Sequence, residues 1–146
     1  MSRPLYETSG DRDRERQVVE AVFEPYGLRA VKLPRAYELD FAVLRGERML
    51  GMCEVKVRGR AYDTLMLSWH KAQALRAAAR EGLIAWLVVA LPEGIYTQRV
   101  GADAAFDLRM GGRQDRGDWQ DMEPVAHFPM AGMQRVVEAR CWASTV

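Results

Sequence analysis

At 146 residues the chain has the length of one domain and enough residues to bury a core. It is 49% hydrophobic and 28% charged with a net charge of +1, the balance of an ordinary soluble globular protein, and its longest apolar run, Ile84 to Leu91, is far too short to span a bilayer. Met1-Ser2-Arg3-Pro4 carries no apolar signal core, so a cytoplasmic protein without membrane partners is expected. The two cysteines, Cys53 and Cys141, are too few for a disulfide scaffold, lack the paired spacing of a zinc site, and read as packing residues.

Along the chain, residues 1–146 read as a single α/β domain with its core at about 11–91 and further strand and helix elements over 92–146. The first eight residues look like a loose tail. Ser9-Gly10-Asp11 makes a helix start, and Val18, Val19, Val22, Phe23 and Tyr26 recur at helical spacing until Gly27 ends the run. Leu28 to Leu33 reads as a strand closed by Pro34. Leu39 to Leu44 and Met49 to Val57 read as two more, joined by the short Arg45-Gly46-Glu47-Arg48 connection. Tyr62 to Leu67 is expected to be a fourth strand, at an edge. Ser68 caps an alanine-rich helix stopped by Gly82, and Leu83 to Leu91 suits a central strand covered on both faces. A strand over Ile95 to Val100 follows, then a polar loop over 111–123, a strand over Val125 to Phe128 and a helix over Gly132 to Arg140. The order implies a mixed central sheet flanked by helices.

Chemistry concentrates on the hairpin. Alternation sends Cys53, Val55 and Val57 to one face and Met52, Glu54, Lys56 and Arg58 to the other, with Glu54 and Lys56 roughly 7 Å apart along the strand. Pairing across the turn brings Asp40, at the start of the preceding strand, close to Glu54. Two carboxylates on adjacent strands can share a hard cation such as Mg2+, and a lysine beside them can orient or deprotonate a water and stabilise phosphate charge. The plainer reading of Glu54 is a surface ion pair with Lys56 or Arg58, which leaves Asp40 unexplained. The chain holds 18 arginines but only three lysines, Lys32, Lys56 and Lys71.

Charge is unevenly spread. Lys56 to Arg80 holds six cations against Asp63 alone, a net +5 that leaves −4 for the rest. Such a stretch serves a phosphate-rich partner, with Arg58, Arg60 and Arg76 as candidate nucleic-acid contacts, or is simply a solvated face. On the first helix, at about 100° per residue, Glu15 falls within the apolar face and Glu20 toward solvent. Glu15 therefore needs a partner: the hairpin site, the helix N-terminus or a nearby arginine. His70 and His127 lack companions at ligand spacing. Ser68 sits in no nucleophile elbow, and Gly111-Gly112 lacks the Lys-Ser/Thr of a phosphate loop. Trp69, Trp86, Trp119 and Trp142 read as packing residues, with Trp119 the best placed to stack on a base.

Asp40, thirteen residues, then Glu54-Val55-Lys56 resembles the PD-(D/E)XK nuclease signature. The surrounding stretch from about Asp11 to Leu91 is similar to archaeal Holliday-junction resolvases and related small phage nucleases. Leu39 stands where the signature has proline. The resemblance implies a restriction-endonuclease-like core, Asp40, Glu54 and the Val55 carbonyl as divalent-metal ligands, and Lys56 as a catalytic residue. It further implies a glutamate from the first helix, with Glu15 favoured by the geometry above, and a polar residue from the second, here Lys71. The expected activity is Mg2+-dependent endonucleolytic cleavage of DNA, branched or junction DNA included, with Mn2+ able to substitute and a homodimer as the assembly. The competing expectation is a noncatalytic nucleic-acid-binding or assembly module that retains the fold.

Overall fold

A computed structural model describes residues 9–112 and 122–139. Cys141, Trp119, Trp142, the tail at 1–8 and the middle of the polar stretch lie outside the described residues. Helix α1 (Ser9–Phe23) leads into β1 (Arg29–Lys32), β2 (Phe41–Arg45) and β3 (Arg48–Val57). Then come β4 (Thr64–Ser68), α2 (Trp69–Arg80), β5 (Ile84–Leu91), β6 (Gly94–Arg99), β7 (Asp107–Gly112), β8 (Met122–Pro129) and β9 (Gln134–Glu138). Strands β1-β2-β3-β5-β6-β9 form a six-stranded mixed sheet in that order, and β4-β8-β7 form a second, three-stranded sheet.

The main sheet is covered on both faces. Val18, Val19, Val22 and Phe23 of α1 pack with Phe41, Val43, Cys53, Val55, Trp86 and Val88, and the Phe23 and Trp86 rings meet edge-on at 4.9 Å. On the other face Ala72, Leu75 and Ala78 of α2 join Leu87, Val89 and Leu91, sealed by Leu65, Leu67, Ala126 and Phe128 of the second sheet. Each large side chain so buried contributes roughly 1.5–3 kcal/mol. The β5 run is continuously apolar because it serves both clusters, as expected for a strand with no wet face. β5 runs parallel to β3, so β4 and α2 form the crossover between them. Among the described residues no helix is long and apolar enough to cross a membrane.

Several expectations need correcting. The segment expected as a last helix is a strand, β9, at the edge of the main sheet beside β6; its Val136-Val137 pair suits a strand better than a helix. The expected polar loop is shorter, since Gly111 and Gly112 end β7 while Met122 and Glu123 open β8. β4 is indeed an edge strand, but of the second sheet. Tyr26 lies outside the apolar face at 71% exposure, because Pro25 cannot continue the α-helix and the chain turns into a short 3-10 segment after Phe23. Ser68 occupies the cap position of α2 without a capping hydrogen bond from its side chain. Trp69 is a partly exposed residue, whereas Trp86 packs in the core as expected.

The hairpin turn is also tighter than expected. Arg45 pairs with Arg48 and Leu44 with Met49, but Val43 pairs with Gly51, so a bulge at Leu50 shifts the register by one. Gly51 lies beside β5, paired with Ile84. A Cβ there would lie 2.5 Å from the Trp86 ring and closer still to the Ile84 carbonyl oxygen. Gly51→Ala should therefore lower stability by about 2–3 kcal/mol, as overpacking does, measured by thermal or denaturant unfolding. An unchanged midpoint would show that β3 and β5 can separate there without cost.

Candidate active site

The bulge decides which side chains meet. With Phe41 opposite Cys53, Asp40 falls opposite Glu54, and residues opposed across an antiparallel pair share a face. Without the extra residue Asp40 would oppose Cys53, whose side chain points into the α1 core. The Asp40 backbone N–H donates to the Cys53 carbonyl at 3.1 Å, and its Oδ2 accepts the Val55 N–H at 2.8 Å. The carboxylate is thus tied to the strand that carries Glu54.

Glu54 does not stand on an open face. Helix α2 lies over it, and it is the one buried charged side chain among the described residues, 1% exposed. A carboxylate taken out of water must be compensated. Lys56 Nζ lies 3.7 Å from Oε1, and Lys71 Nζ, one turn into α2, lies 3.4 Å from Oε2 and donates to the Glu38 carbonyl. Glu38 holds a left-handed backbone at φ 66°, unusual for a residue with a side chain, at the end of the 34–38 turn that delivers Asp40. On the α1 side Lys32 Nζ lies 3.6 Å from Asp40 Oδ1 and 3.8 Å from Glu15 Oε2.

A cleft of about 710 Å3 gathers Glu15, Asp40, Glu54, Val55, Lys56, Arg58 and Lys71, with Lys32, Arg14 and Arg35 also on its walls. Glu15 therefore faces the cleft and Glu20 is not among its lining residues. Arg58 is exposed at the rim, and Arg60 stacks over Tyr62 at 4.6 Å. Arg76 departs from expectation: it donates to the Ala104 carbonyl at 3.0 Å and lies over the Phe106 ring at 4.8 Å, so it anchors the 101–106 loop. Arg80 holds the same loop through the Ala102 carbonyl. The basic run from Lys56 to Arg80 is thus split between the cleft and a structural anchor. His70 is exposed and His127 meets the Thr64 hydroxyl at 3.3 Å, neither near the cleft's carboxylates.

Sequence reasoning missed Lys32. Its signal was available, since antiparallel pairing of β1 and β2 sets Lys32 opposite Phe41, beside Asp40. All three lysines of an arginine-rich chain line one cleft. Each brings a compact point charge on a flexible stem.

Among the described residues no group of three or more His, Cys, Asp or Glu is poised around one point. The site offers instead the Asp40–Glu54 pair, and Glu54 Oε2 is buried without a hydrogen bond. Hard oxygen donors with one such oxygen fit Mg2+ or Mn2+, which bind through one or two carboxylates and keep several waters.

Burial pushes the Glu54 carboxyl from about 4.5 up to about 8; Lys56 and Lys71 pull it down, while the charge of Asp40 and a hydrogen bond with it push it up. Burial likewise raises the Cys53 thiol, which makes it an inert packing residue. With Glu54 raised, the metal-free folded protein keeps a proton that the unfolded chain releases. Its stabilising contribution is complete below about pH 4.5 and is lost as pH rises through about 8. Metal-free protein should accordingly melt at a lower temperature at pH 8.5 than at pH 6, and Glu54→Gln should flatten that decline. A wild-type midpoint that does not fall over this interval would place the carboxylate in a wetter site.

The family model described as "Phage putative PDDEXK endonuclease" matches residues 1–136. None of the curated proteins matches the chain. Among solved structures, the 1.6 Å structure of Hjc, a Holliday junction resolvase from Archaeoglobus fulgidus, superposes with a TM-score of 0.53 over 82% of this chain and 88% of that one, at 18% identity. At that identity the likeness concerns the fold, a restriction-endonuclease-like core. By the match over nearly its whole length, the chain belongs to the phage PDDEXK endonuclease family.

Proposed function

We propose that the protein is a Mg2+-dependent endonuclease that hydrolyses phosphodiester bonds in DNA, branched or junction DNA among its substrates. The observation that carries this reading is the pairing of half-buried Asp40 with buried Glu54, with Lys56 Nζ 3.7 Å from Glu54 Oε1. Asp40, Glu54 and the Val55 carbonyl would hold the divalent ion. When bound, the ion supplies Lewis acidity toward the phosphate and acidifies a water. Lys56, a quarter exposed, reaches from the carboxylate toward the cleft, where it orients the attacking water and stabilises charge on the phosphate. Lys71 anchors Glu54 from above, and Glu15 faces the same space from α1. Arg58 and Arg60 at the rim would meet flanking phosphates. A homodimer, suited to a two-fold junction, belongs to the same proposal.

Incubation with duplex, single-stranded and four-way-junction DNA in Mg2+, Mn2+ or EDTA tests this directly. Cleavage should require the metal and should fall by at least about 100-fold, within the range of a lost general acid–base group, in Lys56→Ala. The variant should stay folded by circular dichroism, because Glu54 retains Lys71. Wild-type protein that cuts none of these substrates in either metal would favour the noncatalytic binding module.

The two glutamates of α1 separate by position. Glu15→Gln should weaken Mn2+ binding in calorimetry and slow cleavage, while Glu20→Gln changes neither. Equal effects would mean that Glu15 serves only its pair with Lys32.

A further inference from the structure

Beside the cleft lies a second, smaller notch of about 280 Å3, lined by Arg12, Asp13, Arg16, Lys32 and Phe41. It is not part of the metal site, yet it shares Lys32 with it. Three cations from two elements face it against the single acid Asp13. Arg16 is held in place rather than swinging free: its Nη1 donates to the Ala30 carbonyl at 3.4 Å, and its guanidinium carbon lies 5.5 Å from the centre of the Phe41 ring. Lys32 Nζ lies 5.2 Å from the same ring. Phe41 is buried, 1% exposed, and follows Asp40 directly in the chain, so the notch is indexed to the catalytic carboxylate by one residue.

We infer that this notch is a phosphate subsite: Arg12 and Arg16, with Lys32 at the shared wall, take a backbone phosphate of the bound strand adjacent to the scissile one. The inference rests on the nuclease reading and names where the strand leaves the cleft. Arginine suits the task because its planar fork donates to two phosphate oxygens at once, and the Phe41 ring and the Ala30 carbonyl fix that of Arg16. The structure also supplies the need. Arg76, which the sequence offers as a phosphate contact, is committed to the 101–106 loop together with Arg80. On the α1 side a cationic wall continuous with the cleft runs through Arg14 and Lys32 to Arg16 and Arg12. Lys32 is paired with Glu15 and Asp40, and Asp13 faces the notch, so the excess charge of that wall rests on its arginines, and a strand following it keeps its phosphates near cations on both sides of the cut.

The test uses the full chain and fluorescein-labelled duplex and four-way-junction oligonucleotides, with Ca2+ in place of Mg2+. Binding is followed by anisotropy between 50 and 200 mM salt. Each phosphate contact adds about 0.9 to the salt slope on duplex DNA. Arg12→Ala/Arg16→Ala should lower the slope by about one, with roughly tenfold weaker binding at 0.1 M salt, and Arg12→Ala alone by less. Both arginines are exposed, and equal melting temperatures will show that the variants fold. A neutral methylphosphonate next to the mapped cleavage position should weaken the wild type by a similar factor and leave the double variant unaffected. Variants that bind like the wild type, or that lose as much as it does to the methylphosphonate, overturn the subsite while the nuclease reading stands. Inorganic phosphate competing at the notch while the methylphosphonate has no effect points to a small-anion site and also overturns it. A wild type that binds neither oligonucleotide removes the subsite and the nuclease reading together.

Discussion

One carboxylate, at the wall of the cleft, is almost wholly withdrawn from water. Glu54 lies on β3 under α2, and although Lys56 and Lys71 approach it from two directions, burial still lifts its carboxyl to about 8. Replacing such a group by an apolar side chain of similar volume is often neutral or stabilising, so retaining it costs stability that packing could supply. The turn through Glu38 and the chain of contacts from Asp40 through Lys32 to Glu15 are arranged around that one buried charge. Burial also makes the pair useful. In a low-dielectric cleft the same charges act on a cation or a phosphate far more strongly than they would at a wet surface.

All three lysines, among twenty-one basic residues, line the cleft, where they are joined by Arg14, Arg35 and Arg58, while Arg76 and Arg80 serve as loop anchors. A run of positive charge in sequence is therefore a poor guide to a charged surface. Between Lys56 and Arg80 the ammoniums reach inward, two arginines brace the 101–106 loop, and Arg58 and Arg60 remain outside.

Much of this was legible before any coordinates. Period-two alternation placed Glu54 and Lys56 on one face, and the apolar run at Ile84–Leu91 announced a strand with two covered sides. Helical spacing put Glu15 on the inner side of α1. What escaped has physical reasons. The depth of Glu54 depends on where α2 lands, a tertiary fact that no local pattern carries. The β9 strand was misread because five residues at a sheet edge have a weak period, and its pairing partner β6 lies some forty residues away. β7 has only Leu108 and Met110 as apolar residues before two glycines, and both are exposed, so burial leaves little trace in its sequence. Arg76 looked available because its role depends on a loop, 101–106, whose path the sequence does not specify.

The parallel pairing of β3 with β5 has a consequence for how the molecule comes into being. The β2–β3 hairpin is local and can close within microseconds, but β5 joins it only after the chain from Arg58 to Leu83 has looped over the sheet. Until then Asp40 and Glu54 face each other on an open ribbon without Lys71 and without the apolar cover of α2. Like charges held opposite one another work against the hairpin at that stage. The step that seals the core therefore brings Lys71 to Glu54 and in the same movement takes that carboxylate out of water, and a nascent chain emerging in order completes this cleft only once Leu91 has been made.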